Sequence, residues 1–279
     1  MLCRVYEFLK NFALSLIGIF IPVYIVSEGF GLLPAVLFVV ISGIAGLVLS
    51  YPISKLISRI GFKKSLITSY VFLIPGLLVI RQFKLSLTVI IVSSLLYNLG
   101  RISHNISLNS EFAVNSNQNK RASDSGKMLS LPTVSRIIAP IVGGVIFAEA
   151  GFTELMYATV GLLAISIIPL VLSKEHRDPM NYNMTKLFSE EYLKTVPLFI
   201  IRGIQAVTAV AIFSLFVFTN IGGSIDVGGA KALESLGFVL TGLIVGRFAT
   251  QIRKELFVLI GCLGASMVFF LRGFLATPM

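Results

Sequence analysis

The sequence predicts an all-α, polytopic membrane protein, a transmembrane helical bundle of about nine helices. Three observations predict it. Hydrophobic residues make up 56% of the 279 positions and charged residues only 13%, with a mean hydropathy of +0.91, a balance that suits lipid rather than water as the main solvent. The apolar residues fall in runs of about 20, the length a helix needs to cross roughly 30 Å of hydrocarbon. The basic residues gather in the short segments between those runs. Backbone groups in lipid must bond within their own segment, so runs of this length are helices, and the short alternating strands of a barrel are not in the pattern.

The first run, 6–27, follows Arg4 and carries Lys10. It resembles a secretory leader, but no small-residue cleavage site opens onto a soluble domain, so it is a retained span. The second, 31–54, ends in the basic stretch SKLISRIGFKK, and the third, 64–82, follows it. The fourth, 86–108, is apolar only over LSLTVIIVSSLLY and must run on through Gly100, Arg101, His104 and Asn105 to cross the bilayer. The fifth, 128–149, comes after the polar tract KRASDSGK, and the sixth is 154–172. A polar break from Ser173 to Val196 follows. Its LFSEEYLK part fits either a short amphipathic helix on the membrane surface or a solvated linker. Runs at 197–219, 232–250 and 255–275 complete the pattern. The expected organisation is a six-helix bundle over 1–172, a central cytoplasmic loop over 173–196, and three helices of a second bundle over 197–279.

The net charge of +10 would suggest nucleic acid as a partner in a soluble protein. Here the placement of the charges argues for anionic lipid headgroups and against nucleic acid. With the N-terminus inside, the inner segments and span ends hold Arg4, Lys10, Lys55, Arg59, Lys63, Lys64, Lys120, Arg121, Lys127, Lys174, Arg177, Lys186, Lys194, Arg247, Arg253 and Lys254, and the outer ones hold Arg81, Lys84, Lys231 and Arg272. That asymmetry orients a multi-pass protein of the cell (plasma) membrane with a cytoplasmic N-terminus and the end near Met279 outside. Cys3 and Cys262 lie near opposite ends without a CxxC or a histidine cluster, so neither a disulfide framework nor a metal site is expected, and no cofactor motif is present.

Three segments carry a resemblance to a known family. SKLISRIGFKK, between spans two and three, resembles the signature G-x-x-x-D-R-x-G-[RK]-[RK] of the major facilitator superfamily. Arg59, Gly61 and Lys63 fit, Ser54 replaces the glycine, Ser58 the aspartate and Phe62 the first basic residue, and Lys64 stands just beyond. APIVGGVIF, 139–147, is similar to the proline and paired-glycine stretch of that family's fifth helix: Pro140 would bend the helix, and Gly143 and Gly144 would let a neighbour come close. GRFATQIRKEL, between spans eight and nine, is a weak echo of the first motif, with Gly246, Ile252, Arg253 and Lys254 in corresponding places. The resemblance implies two six-helix bundles with alternating access, a gating role for Arg59, Gly61, Lys63 and Lys64, and a central cavity lined by helices one, four and seven. It also implies three more helices than this chain supplies, so either a truncated or split protein, with a missing C-terminal portion or a partner chain, or a fragment of a longer one is expected.

The chemistry expected of such a protein concentrates in span four. Ser94, Asn98, Arg101 and Asn105 recur at three- and four-residue steps, and Arg101, His104 and Leu108 continue toward Glu111. An arginine in hydrocarbon costs about 2.5–3.5 kcal/mol on insertion scales, so Arg101 should face a cavity or a buried partner. Arg136, one turn before Pro140, and Arg202, with Gln205 and Thr208 continuing its face, are further cations at membrane depth, and Arg202 is also placed to snorkel. Asn98, Arg101, His104, Asn105, Arg136, Arg202 and Gln205 are the candidate solute-binding residues. The other acids, Glu7, Glu28, Glu149, Glu154 and Glu234, lie near span ends, leaving Glu111 as the candidate proton-coupling carboxylate, with His104 able to share that role. No nucleophile–base pair, metal motif or phosphate loop occurs, which argues against an enzyme. The readings left are a secondary carrier of a small solute, with the excess of arginine leaning toward an anion and sugars, drugs and peptides open, and a non-transporting protein of the same fold serving as scaffold or relic.

Overall fold

The structure, a computed structural model, describes residues 2–115, 121–172, 189–208 and 212–248, together with 261, 263, 264, 266 and 267. The described residues include no strand and form helices joined by short turns: α1 Leu2–Ile17, α2 Phe20–Ser27, α3 Leu32–Ile60, α4 Phe62–Gln82, α5 Leu87–Asn115, α6 Arg121–Glu149, α7 Phe152–Leu172, α8 Glu190–Leu193, α9 Val196–Val207, α10 Phe213–Asn220 and α11 Ser224–Phe248. Among the described residues, four stretches can cross a membrane by length and composition: Val5–Ser27, Leu32–Ile60, Phe62–Gln82 and Phe152–Leu172. The 29-residue α5 is not among them, as its polar second half requires. The chain divides into a compact unit over Met1–Ala232 and a second over Leu233–Met279.

The first span is two helices because Pro22 has no N–H for the carbonyl four residues back and its ring crowds that carbonyl, which is Gly18's. The regular helix stops at Ile17 and resumes at Phe20. This span is the centre of its unit: 61% of its apolar window is buried, against 17% for α3. Tyr6, Ala13, Leu16, Ile17 and Phe20 are buried in the main apolar core, α1 packs on α6 and α7, and α5 packs on α3 and α4. Tyr24 stacks flat on Phe152 with ring centroids 4.0 Å apart.

The basic stretch between spans two and three is not the loop its sequence suggests. Helix α3 absorbs SKLISRI and α4 begins at Phe62, so a single residue, Gly61 at φ 91° and ψ 161°, separates them. Arg59 lies in the last turn of α3, where a cation complements the helix dipole. Lys63, in the first turn of α4, donates through Nζ to the carbonyl of Val171 at 2.7 Å, capping the end of α7. The positive φ at Gly61 disfavours any side chain. Gly61→Leu is therefore expected to destabilise the helix pair by about 1–3 kcal/mol, and Lys55→Ala, at an exposed position of α3, to change little. Equal thermal stability of the two purified variants would show that the hinge tolerates a side chain.

Other boundaries also move. Helix α6 starts at Arg121, so most of KRASDSGK is helical, and α11 starts at Ser224, eight residues before the apolar run, with Asp226 in its first turn. Within LFSEEYLK a single helical turn forms, α8, with Lys194 paired to Glu190 at 2.7 Å. Residues 173–188 of the central segment, and most of the echo motif after Phe248, lie outside the described residues.

Candidate functional site

Helix α1 presents Tyr6, Glu7, Lys10 and Asn11 at the i, i+1, i+4 and i+5 spacing of one helix face. Three of them are enclosed: Tyr6 is 0%, Lys10 1% and Glu7 5% exposed. This corrects the sequence reading, which set Lys10 among the inner-surface cations and Glu7 at a span end. The helix begins at Leu2, ahead of both residues, and neighbouring helices rather than headgroups surround them. Removing Lys10 from the inner set leaves the charge asymmetry of the segments intact.

Helix α5 completes the cluster. The Tyr6 hydroxyl and His104 Nδ1 are 2.8 Å apart, and His104 Nε2 lies 3.7 Å from Glu7 Oε1. With the phenol donating to Nδ1, the ring proton sits on Nε2 and faces the carboxylate. Asn11 Nδ2 donates to the other carboxylate oxygen, Oε2, at 3.2 Å and to the Glu7 carbonyl at 2.7 Å. Lys10 Nζ stands 5.8 Å from the centre of the Tyr70 ring on α4, and the Tyr70 hydroxyl meets Ser166 Oγ of α7 at 2.7 Å. Among the described residues, Lys10 Nζ and Glu7 Oε1 have no hydrogen-bond partner. Glu7 and Lys10 are the functional candidates that the sequence reading missed; the signal was their three-residue spacing on one helix, followed at once by Asn11.

The residues expected to bind solute divide into two groups. Asn98 and His104 are buried and turned to neighbouring helices, Asn98 donating to the carbonyl of Ser42 on α3, beside Ser94, which donates to the carbonyl of Phe38 at 2.7 Å. Arg101 and Asn105 are exposed on α5. The Arg101 guanidinium packs over the Tyr97 ring, 5.7 Å from its centre. Glu111, on the same helix, is half-buried and within electrostatic reach of Glu7. Arg136 is exposed on α6, next to Ser135, whose hydroxyl donates to the carbonyl of Phe8 at 3.3 Å. Arg202 and Gln205 fall in α9, and their side chains lie outside the described residues.

The paired glycines of α6 sit at close approaches. A Cβ on Gly143 would lie 2.2 Å from the Leu16 carbonyl oxygen of α1, and one on Gly144 would lie 2.6 Å from that of Ser224 in α11. Pro140, which lies between Arg136 and Gly143 in the sequence and is buried, has its own carbonyl oxygen 2.3 Å from where a Cβ on Gly228 would stand. Residues 8–279 match the family model of the Major Facilitator Superfamily. The chain belongs to the major facilitator superfamily. It is therefore a multi-pass membrane transporter with the all-α bundle of that superfamily, acting on a small-molecule solute. A comparison with curated proteins gave no match. Within this superfamily member, the helices of spans one and four, α1 and α5, hold both the enclosed charged cluster and the exposed Arg101 and Asn105.

Proposed function

We propose that this chain works as a secondary carrier, without a catalytic step, that moves a small anionic or strongly polar solute by alternating access. The observation that carries the reading is the division of α5: its Asn98 and His104 bond inward, whereas Arg101 and Asn105 stay exposed one turn apart. A guanidinium exposed on a membrane-spanning helix is tolerable against water or a solute and costly against lipid. Arg101, held over Tyr97, offers a planar fork of donors suited to a carboxylate or phosphate, and Asn105 adds a donor and an acceptor. Arg136 and Arg202 extend the basic lining in this reading and Gln205 adds a neutral amide, Glu111 is a coupling group at the far end of α5, and 1–172 and 197–279 form the two halves joined through 173–196.

The test is uptake into proteoliposomes over a panel of anionic, neutral and cationic solutes. Arg101→Lys keeps the charge and loses the fork, so it is expected to weaken solute affinity about tenfold or more, the effect of roughly 1.4 kcal/mol, with normal membrane insertion. Unchanged uptake by Arg101→Gln would remove Arg101 from the site.

The same proposal places the protein in the plasma membrane with a cytoplasmic N-terminus, supported by the lysine and arginine asymmetry. With Cys3 and Cys262 replaced by serine, a cysteine introduced at Asn183 is expected to resist an impermeant thiol reagent added outside. Labelling there from outside would reverse the topology.

A further inference from the structure

The carrier reading leaves the enclosed cluster between α1, α4 and α5 unused, and that cluster has the properties of a ligand site that holds no ligand larger than a hydrogen ion. Its members are closed off: Tyr6, Lys10, His104 and Glu7 are each at most 5% exposed. Inside it a carboxylate oxygen, Glu7 Oε1, and an ammonium group, Lys10 Nζ, nonetheless have no hydrogen-bond partner among the described residues. An enclosed charge without such a partner is expensive, and the expense falls when a proton arrives or leaves.

We propose that Glu7 and His104 form a proton-binding site, with Lys10 as its counter-charge, that serves the transport cycle; the second half of this statement rests on the carrier reading above. The bound species is H⁺, held either on the Glu7 carboxylate as a carboxylic acid or on His104 as imidazolium facing that carboxylate across 3.7 Å. Transfer between them moves one proton from Nε2 of the imidazolium to Glu7 Oε1 and leaves a neutral ring whose Nδ1–H donates to the Tyr6 hydroxyl oxygen. No atom is gained or lost and no redox partner is needed. Tyr6 fixes the ring, and Asn11 fixes the carboxylate through Oε2, which leaves Oε1 as the oxygen that takes the proton.

The surrounding helices supply charges of both signs. Lys10 is on the same helix face, Arg101 and Glu111 of α5 are within electrostatic reach of Lys10 and Glu7 respectively, and Arg101 also acts on His104. Helix α4 contributes the Tyr70 hydroxyl, α7 contributes Ser166, and α6 contributes Ser135, hydrogen-bonded to the α1 backbone one residue from Glu7, with Arg136 beside it in sequence. Protonation at Glu7 would thus change the charge that α1 presents to Arg101, the residue proposed to hold the solute. A proton and a solute would then affect each other's binding reciprocally.

The experiment is infrared difference spectroscopy of the purified full chain in lipid, recorded as the pH is stepped, with the hydrogen ion itself as probe. The expected result is a carboxylic-acid C=O band that grows and disappears with pH, is lost in Glu7→Gln, and persists in Glu111→Gln. A Glu7→Asp variant keeps the acid and should shift the band rather than abolish it, which covers a failure of Glu7→Gln to fold. Histidine labelled with nitrogen-15 in a His176→Gln background reports His104 alone, and its ring resonances should respond to Glu7→Asp. A band unchanged in Glu7→Gln and in Glu7→Asp, or His104 resonances insensitive to Glu7→Asp, would overturn the site. Because these readouts need no solute, failure of the uptake assay with the band intact would sink the carrier reading and leave the proton site standing.

Discussion

Lys10→Met is expected to lower the stability of the inserted protein by about 3–5 kcal/mol, the usual cost of leaving one member of an enclosed charge pair without the other. Glu7→Gln should cost a similar amount, and the double variant Glu7→Gln/Lys10→Met should recover much of the loss, since it leaves a neutral amide and a thioether in place of two charges. The reason is spacing: the two groups share one face of α1, three residues apart, and Lys10 Nζ and Glu7 Oε1 have no hydrogen-bond partner among the described residues, Asn11 holding only Oε2. In Glu7→Gln, Lys10 keeps the Tyr70 ring, which tempers the loss of its counter-charge. The measurement is a double-mutant cycle by unfolding in mixed detergent micelles. Strictly additive losses would mean that Glu7 and Lys10 are held by separate partners and do not form a unit.

The second large effect is expected where α4 and α5 touch. A Cβ on Gly100 would lie 2.6 Å from the Ser69 carbonyl oxygen and 2.8 Å from the Leu73 nitrogen, and one on Gly76 would lie 2.5 Å from the Tyr97 nitrogen. These are backbone atoms, which cannot step aside as a side-chain tip can. Gly100→Val and Gly76→Val should each cost about 1–3 kcal/mol or more through forced separation of the helices, and both would disturb Ser93, whose hydroxyl donates to the Gly76 carbonyl at 2.6 Å. Gly161→Ala on α7, with nothing within 4 Å of its Cβ, is the control and should be neutral. Because Tyr97 also carries Arg101 on its ring, Gly76→Val is expected to reduce solute uptake beyond its effect on protein yield. Wild-type stability in both valine variants would show that the α4–α5 contact can widen freely.

The amino-acid sequence by itself determined that the chain is helical and lives in lipid, because hydropathy and run length are local properties that lipid reads directly. It also carried the family, through Arg59, Gly61 and Lys63 and through the Pro140–Gly144 stretch, and it singled out α5 as the polar helix. It misjudged where helices end: charged residues such as Arg59 and Lys63 read as loop, yet a helix terminus accepts them readily when one glycine can reverse the chain. Only the tertiary structure decided which polar groups are enclosed. Glu7 and Lys10 sit near the N-terminal end of the chain and look like interfacial residues in one dimension; packing against α6 and α7, and the approach of His104 from 97 positions farther along, encloses them. Asn98 and Arg101 look alike in the sequence, three residues apart on one polar helix, and only the presence of the Ser42 carbonyl beside one of them separates a packing residue from an exposed one. Burial is a property of what surrounds a residue, and the surroundings are set by contacts between segments far apart in the chain.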